Sequence, residues 1–542
     1  MSSITSSKTS STTRRVARAA TIVMLAFVVS RVLGLVREAV IGARFGAMDE
    51  YGAYLAAFRI PDLIFNLIAG GALASAFLPT YTLFLTRDEH ENGWRLASAV
   101  ANWLMIGLGV VSVLAAIFAP WLVANFIAPG FEPELVELTA QLMRYMLIST
   151  VIFSLSGLMM SILNAHEHFL MPAIAPVMYN VGILFGALVL VPYVGIFGLA
   201  WGVVLGAAGH AVVQLPKLRA YGARYMPTLG RRDPTIRSSV GQVGKLMGPR
   251  VLGAAVVQLM FLANTIIASF YDPSILAALN YAWIVMLLPN GVFASSIATA
   301  IFPTFSRMAA VGDKAGMRQG LAQTLRALLF VVVPSAVGLV MLRVPIIQLL
   351  FERGQFTHET TMAVAWALGF YGFGLIGHAL IEIISRAYFA IQDTFTPVAI
   401  GVLAMATNIG LSLLLIPVIG DATSFTTGPQ GALALANTIA STAEVFVLLW
   451  FLRPKIGGIE ALNLLNTTVR LAIAATVMGG ALWLMPQLPI LRDLPILIFT
   501  PLAIAVGGAI YFIYTLVLGV EEAEIVPNMI LRRRKGARGS AK

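Results

Sequence analysis

The chain has 542 residues, of which 58% are hydrophobic and only 11% are charged, and its mean hydropathy is +0.86. Soluble globular proteins carry about 25% charged residues, so this composition excludes a soluble enzyme or regulatory domain and indicates a membrane protein. The formal net charge is +11, and the lack of cysteine excludes disulfides, thiol nucleophiles and cysteine-bound metals.

Apolar segments follow one another along nearly the whole chain. A membrane-spanning helix needs roughly 20 mainly apolar residues, and about fourteen segments meet this requirement. We therefore predict an all-α polytopic membrane protein with about fourteen transmembrane helices. The predicted spans lie near residues 19–46, 51–85, 96–127, 135–163, 171–192, 195–216, 243–270, 275–306, 320–343, 360–390, 395–418, 430–452, 466–487 and 494–519.

Basic residues concentrate in alternate loops, and this pattern predicts the orientation of the chain. Arg14, Arg15 and Arg18 precede the first span, and Lys and Arg favour the cytoplasmic side. Both termini are therefore predicted to be cytoplasmic. The positive charge sets the topology, and we expect no nucleic-acid partner. The other basic residues on that side are Lys217, Arg219, Arg224, Arg231, Arg232, Arg237, Lys245, Arg307, Lys314, Arg318, Arg532, Arg533, Arg534, Lys535 and Arg538.

Short sequence words recur in the same order in the two halves, which predicts an internal repeat. Two lobes of six spans would then have the same orientation, as in transporters with parallel repeats. The matching words are Arg31–Gly34 with Arg250–Gly253, Pro61–Asp62 with Pro289–Asn290, Ala76–Thr80 with Ala300–Thr304, and Asn164–Pro172 with Ala390–Pro397. The predicted regions are a disordered N-terminus (1–18), an N-lobe (19–220), a basic cytoplasmic linker (221–242), a C-lobe (243–455), two C-terminal helices (456–520) and a basic cytoplasmic tail (521–542).

Several arginines lie inside predicted spans, where a charge costs at least about 2.5–3.5 kcal/mol. Salt bridging and snorkelling can account for some of these positive charges inside the spans. Arg44 can snorkel to the interface, Arg59 can pair with Asp62 at i,i+3, and Glu38 can neutralise one arginine. Arg31, Arg37 and Arg250 remain in excess. A bidentate guanidinium suits a phosphate group, so these residues are candidates for binding an anion.

Other polar residues in the spans are candidates for coupling transport to an ion. Glu382 lies one helical turn from both His378 and Arg386. An internal ion pair with Arg386 is the favoured interpretation, and a proton-linked carboxylate is the alternative. Glu444 is a lone acid in its span, and it too is either a structural ion-pair partner or a proton-linked carboxylate. Asn264, Asn408 and Thr438 could help to ligate a cation, although helix–helix hydrogen bonding is the usual role of such residues.

Motifs of soluble catalysis are absent from the sequence, since it has no P-loop, no GxSxG elbow and no HExxH. His166, Glu167 and His168 lack the zinc-binding spacing and are interpreted as interfacial. We therefore expect no enzymatic activity, no cofactor and no bound metal.

The residues that carry these features resemble the opening of the MviN/MurJ lipid II flippases. The resemblance rests on Ser30–Glu38, Phe45–Gly46 and Ala57–Pro61, and it continues through Gly71–Pro79, Leu163–Pro176, Pro249–Gly253 and Gln392–Pro397. It covers nearly the whole chain. The sequence departs from the family pattern at Gly52, Phe65, Asn66, Gly70 and Ile284, and these departures lower the charge expected in the cavity.

The resemblance implies two six-helix lobes that form a V, with helices 13 and 14 building a groove for a lipid tail. It also implies alternating access, with the anionic head of an undecaprenyl-linked lipid in a cationic cavity. By position, Arg31, Arg37 and Arg59 match the family's basic residues. Coupling to Na⁺, H⁺ or the membrane potential stays open, and the cell-wall synthesis machinery is a possible partner.

The leading hypothesis is therefore a flippase for lipid II in the bacterial cytoplasmic membrane. Two transporter alternatives are an exporter of another lipid-linked oligosaccharide and a drug or cation antiporter of the same superfamily. An antiporter for cations should have acidic residues in its cavity, whereas the first span has an excess of arginine. From another class, a membrane-embedded enzyme or a scaffold of cell-wall assembly is the alternative. A scaffold would not need cavity arginines.

Overall fold

A computed structural model describes residues 25, 26, 28–66, 71–421 and 423–524, and the regular secondary structure of these residues is helical. The predicted disordered segment 1–18 and most of the predicted tail 521–542 lie outside the described residues. The chain divides into two compact units between Ser274 and Ile275.

The described part of the first unit contains twelve helices, and two complete π-helical turns lie within it. Helix α1 covers residues 28–45. It is followed by α2 (Asp49–Ala57), α3 (Arg59–Ile64), α4 (Gly71–Thr86), α5 (His90–Ile117), α6 (Ala119–Leu122), α7 (Pro133–Ala165), α8 (Leu170–Phe185), α9 (Val191–Val194), α10 (Phe197–Val212), α11 (Leu215–Ala220) and α12 (Pro234–Ser269), with π-helical turns at Val123–Ile127 and Gly186–Leu190.

The second unit is built in the same way from long helices joined by short loops. Its helices are α13 (Ser274–Pro289), α14 (Ser295–Ala310), α15 (Lys314–Met341), α16 (Arg343–Phe351), α17 (His358–Ala390), α18 (Phe395–Leu415), α19 (Pro429–Leu452), α20 (Ala461–Leu484), α21 (Pro489–Arg492) and α22 (Ile496–Val517), with a π-helical turn at Asn290–Ala294 and a 3₁₀ turn at Met485–Gln487.

Within the described residues, eleven helical segments are long and apolar enough to cross a membrane. They correspond to eleven of the predicted spans, which confirms an all-helical polytopic membrane protein. The predicted spans near 19–46, 51–85 and 243–270 are not among them. The first two include residues outside the description. The third lies in α12, where most side chains between residues 248 and 257 are outside the description and Gln258–Ser269 is a shorter apolar segment. The count of about fourteen spans stays a prediction.

Helix lengths recur between the two units. Helices α5 and α15 each have 28 residues, and α7 and α17 each have 33 residues. The turn after α7 also matches the turn after α17. Glu167 and Gln392 both have positive φ, at 56° and 61°, which non-glycine residues rarely adopt. In each turn the next amide reaches back five residues, from His168 to Leu163 O (2.9 Å) and from Asp393 to Tyr388 O (3.0 Å).

Helix α12 starts earlier than its predicted span and packs within the first unit. It begins at Pro234 because the Asp233 side chain caps it, accepting hydrogen bonds from the amides of Thr235 and Ile236. The helix contacts α3, α4 and α5. Residues 234–242 of the region predicted as linker, 221–242, are therefore helical, and residues 221–233 form a loop.

The last two long helices pack on α15 through a continuous apolar core in the second unit. Leu471, Met478 and Leu482 of α20 meet Phe499 and Tyr511 of α22 in this core. The Tyr511 hydroxyl donates a hydrogen bond to the backbone oxygen of Phe330 in α15, at 3.0 Å. These two helices are the ones predicted to follow the internal repeat.

Candidate functional site

Arg37 is held in place by side chains from its own helix and from α8. Its Nε donates to Glu38 Oε1 at 3.1 Å, and a second guanidinium nitrogen contacts the same oxygen. A third nitrogen donates to Asn180 Oδ1 at 3.1 Å. The Arg37 side chain is 22% exposed. A guanidinium has five N–H donors, so these three contacts leave donors with which Arg37 could bind an anion.

Glu38 is the most deeply buried member of this group, with a side chain only 7% exposed. Its second carboxylate oxygen accepts a hydrogen bond from the Tyr51 hydroxyl at 3.1 Å. The sequence left open which arginine Glu38 neutralises, and the structure pairs it with Arg37. Arg31 and Arg44, by contrast, have exposed side chains. Arg37, which the sequence left among the arginines in excess, therefore has an acidic partner in the structure.

Arg59 lies at the start of α3 and is bound to α12. Its Nε donates to Thr265 Oγ1 at 2.7 Å, and its guanidinium carbon lies 5.5 Å from the centre of the Phe261 ring. Asp62, one turn away, accepts a hydrogen bond from Asn66 Nδ2 at 3.1 Å. Arg250 lies in α12, but its side chain is outside the described residues.

The second unit contains the predicted ion pair on α17. Arg386 lies 3.8 Å from Glu382, measured between guanidinium nitrogen and carboxylate oxygen. Ser295 Oγ donates to the other Glu382 oxygen at 3.2 Å. The favoured interpretation of Glu382 as an ion-pair partner is confirmed. His378 shares a hydrogen bond of 2.9 Å with Asn437 Oδ1.

The remaining candidates for ion coupling include buried polar atoms without partners. Among the described residues, both side-chain polar atoms of Asn408 lack a hydrogen-bond partner although the residue is fully buried, and so do Ser412 Oγ and Asn264 Oδ1. Glu444 is partly buried in α19. The described residues contain no group of three or more His, Cys, Asp or Glu side chains that could hold a metal ion. Thr438 instead donates to Phe370 O at 2.9 Å.

Three hydrogen-bond partners were missed from the sequence: Asn180 binds Arg37, Tyr51 binds Glu38, and Thr265 binds Arg59. Asn180 lies in an otherwise apolar helix, and its side-chain amide also donates to the Pro176 and Ser30 carbonyl oxygens, both at 3.2 Å. A buried asparagine in such a helix normally bonds across a helix interface. That signal was available in the sequence, but it could not identify Arg37 as the partner.

Comparison with known proteins defines the relationship of the chain. The family described as "Lipid II flippase MurJ" matches residues 41–490. The chain belongs to the MurJ family. One MurJ relative, a lipid II flippase from Burkholderia cenocepacia, is 32% identical over 397 residues, which are 72% of this chain and 77% of that protein. A probable lipid II flippase from Rhizobium tropici is 27% identical and covers 95% and 96% of the two chains.

Solved structures give the same relationship at the level of the fold. A MurJ lipid II flippase in an inward closed conformation matches with a TM-score of 0.75 and 26% identity, over 91% of this chain and 98% of that one. An inward-facing MATE-family multidrug transporter matches with a TM-score of 0.67 over 80% and 98% of the two chains, but only 14% identity. The second likeness shows a shared fold and nothing about the substrate. Membership of the MurJ family makes the chain a transporter and not an enzyme.

Proposed function

We propose that this chain moves lipid II, the undecaprenyl-linked precursor of peptidoglycan, from the inner to the outer leaflet of the bacterial cytoplasmic membrane. The observation that carries the proposal is the MurJ family match over residues 41–490. The likeness to a MurJ structure over 91% of the chain supports it further.

The substrate is recognised by arginines, and no bond is made or broken. Arg31, Arg37, Arg59 and Arg250 bind the diphosphate of the lipid head, because a guanidinium stays charged and donates two parallel hydrogen bonds to a phosphate. Alternating access then presents the loaded cavity to each side of the membrane in turn. The fixed position of Arg37 between Glu38 and Asn180 supports this role, since a preorganised donor loses little entropy on binding.

The proposed architecture has about fourteen spans, two parallel six-helix lobes and both termini in the cytoplasm. The recurring helix lengths of 28 and 33 residues support the repeat. Helices α20 and α22 form the groove for the lipid tail. Coupling to Na⁺, H⁺ or the membrane potential involves Glu444, Asn264 and Asn408, with Glu382 restrained by Arg386. The buried, unpartnered amide of Asn408 supports a ligand or water at that position.

The test is complementation of a bacterium whose own flippase can be depleted. The wild-type chain should restore growth and prevent accumulation of lipid II in the inner leaflet. Arg31→Ala should abolish both effects while the protein is still made and inserted. Arg44→Ala is the matched control, because Arg44 is exposed on the same helix and is assigned to the interface. Failure of the wild-type chain, with normal insertion, would argue against lipid II as the substrate.

A further inference from the structure

The loop before α12 is hydrogen-bonded to α5 and contains an ordered arginine. Asn102 Nδ2 donates to Thr228 O at 2.8 Å, and Trp103 Nε1 donates to Leu229 O at 3.2 Å. The Arg231 guanidinium lies over the Trp103 ring, 5.0 Å from its centre. Stacking of this kind restrains an arginine without neutralising it. The basic loop is therefore a fixed surface and not a freely moving linker.

A cleft of about 790 Å³ opens at this point. Every ionisable side chain that lines it is cationic. The main lining residues are Arg231, Arg232, Arg237, Ser238, Gln242 and Lys245. The spacing of Arg237, Ser238, Gln242 and Lys245 places these four residues on one face of α12. The neighbouring acid, Asp233, is engaged elsewhere, since it caps α12 and lies 3.7 Å from Arg95.

The cleft is next to a surface of α5 that has the character of a lipid-facing stripe. Trp103, Ile106, Val110, Val113 and Ile117 follow one another at intervals of three and four residues, which places them on one helix face. Their exposure rises from 38% at Trp103 to 63% at Ile117. Exposed apolar side chains in a transmembrane helix face the acyl chains, and tryptophan marks the interface with the head groups. Arg231 therefore stacks on the tryptophan at one end of this stripe.

We propose that this cleft binds the phosphate of an anionic phospholipid in the cytoplasmic leaflet, with the acyl chains lying along the stripe on α5. The inference rests on the proposed cytoplasmic location of the loop and goes beyond transport of lipid II. Basic pockets at the cytoplasmic face suit such head groups because several cations converge on one phosphate. The bound lipid would link the loop before α12 to the membrane surface.

The experiment measures lipid occupancy on the purified full chain by native mass spectrometry. Phosphatidylglycerol is compared with phosphatidylcholine carrying the same acyl chains, in samples without lipid II. We expect phosphatidylglycerol to bind the wild type in preference. In the variant Arg232→Gln/Arg237→Gln, the affinity for phosphatidylglycerol should fall by roughly 25-fold, or about fivefold for each cation removed. Arg232→Lys/Arg237→Lys should retain most of the affinity because the charge is kept.

The control removes two charges from another predicted cytoplasmic loop. Arg307→Gln/Lys314→Gln changes the net charge equally, and both residues are exposed. Its affinity for phosphatidylglycerol should stay within about twofold of the wild type, because it leaves the cleft intact. An equal loss in the control, or equal binding of the two lipids by the wild type, would overturn the proposal. Displacement of the lipid by millimolar inorganic phosphate would show a site for free phosphate and would overturn it as well.

Discussion

At the scale of single residues, the contact between Arg37 and Glu38 gives Arg37 two roles that must be separated. The arginine neutralises a carboxylate that is almost fully buried, and it is also a candidate for binding the substrate. A buried charge that loses its partner is strongly destabilising. Loss of transport in a simple Arg37 variant would therefore not distinguish between binding and stability.

A double substitution separates the two roles. Arg37→Ala leaves Glu38 without its cation, and the free energy of unfolding should fall by about 3–5 kcal/mol. Arg37→Ala/Glu38→Ala removes both charges and should recover most of that loss, as measured by thermal unfolding in detergent. Transport should stay abolished in the double variant if Arg37 binds the lipid head. Recovery of both stability and growth would mean that Arg37 serves only to neutralise Glu38.

His166 provides a second residue-scale prediction, this time for pH. It follows α7, and its ring stacks on Tyr221 with ring centres 4.4 Å apart. Burial, and to a lesser extent the charge of His90, lower the pKa of His166 below its usual value of 6.5. The unfolded chain then binds the proton first as the pH falls. Stability should therefore be constant above about pH 6.5 and should decrease below it.

The measurement is the unfolding temperature between pH 5 and pH 8. His166→Phe keeps an aromatic ring against Tyr221 but cannot titrate, so its unfolding temperature should fall less on acidification than that of the wild type. Parallel curves for the two proteins would contradict the assignment. Burial also lowers the pKa of His168, with Lys217 contributing, so a part of the pH dependence should persist in the variant.

At the scale of elements, the turn between α17 and α18 shows the role of one segment that resembles the MurJ family, Gln392–Pro397. Asp393 accepts hydrogen bonds from the amide and the hydroxyl of Thr396, at 3.0 and 2.7 Å. It also forms an ion pair with Lys455. Gln392 is the residue with positive φ in the same turn. The Asp393 side chain therefore satisfies an amide in the first turn of α18 and joins that helix to the loop after α19, which is a structural role.

Asp393→Ala should destabilise the protein by about 1–2 kcal/mol, because a helix cap is lost. Although burial opposes the shift, the bonds from Lys455 and Thr396 hold the pKa of Asp393 below its usual 3.8. The contribution should be present above pH 3.8 and disappear as the pH falls further. Thermal unfolding checks both effects. Asp421→Ala is the control, because the exposed Asp421 side chain accepts its hydrogen bonds from nearby Thr423, and little change is expected there.

At the scale of the whole molecule, orientation in the membrane follows from the distribution of basic residues. Thr426 lies between α18 and α19, and Arg232 lies directly before α12. The bias of Lys and Arg predicts that a reporter fused at Thr426 is periplasmic and one fused at Arg232 is cytoplasmic. Paired alkaline phosphatase and green fluorescent protein fusions measure this. The reverse pattern at either position would refute the orientation.

The sequence by itself determined the class of the protein and most of its helices. Eleven predicted spans correspond to apolar helices of the structure, because the cost of unsatisfied backbone groups in lipid leaves few alternatives to a helix. The boundary at Pro234 was missed, since a capping aspartate in a polar stretch gives no hydropathy signal. The pairing of Glu382 with Arg386 was predictable because both lie on one helix, one turn apart.

Only the tertiary structure decided which buried charges meet. Neighbours along a helix normally point to different sides, so spacing does not favour Arg37 as the partner of Glu38. Helix α8 contributes Asn180, which binds Arg37, and α2 contributes Tyr51, which binds Glu38. The same holds for Arg59, whose partner Thr265 lies some two hundred residues away in the chain. A hydropathy pattern reports how much apolar surface each helix has, whereas a polar contact between helices depends on which faces pack together.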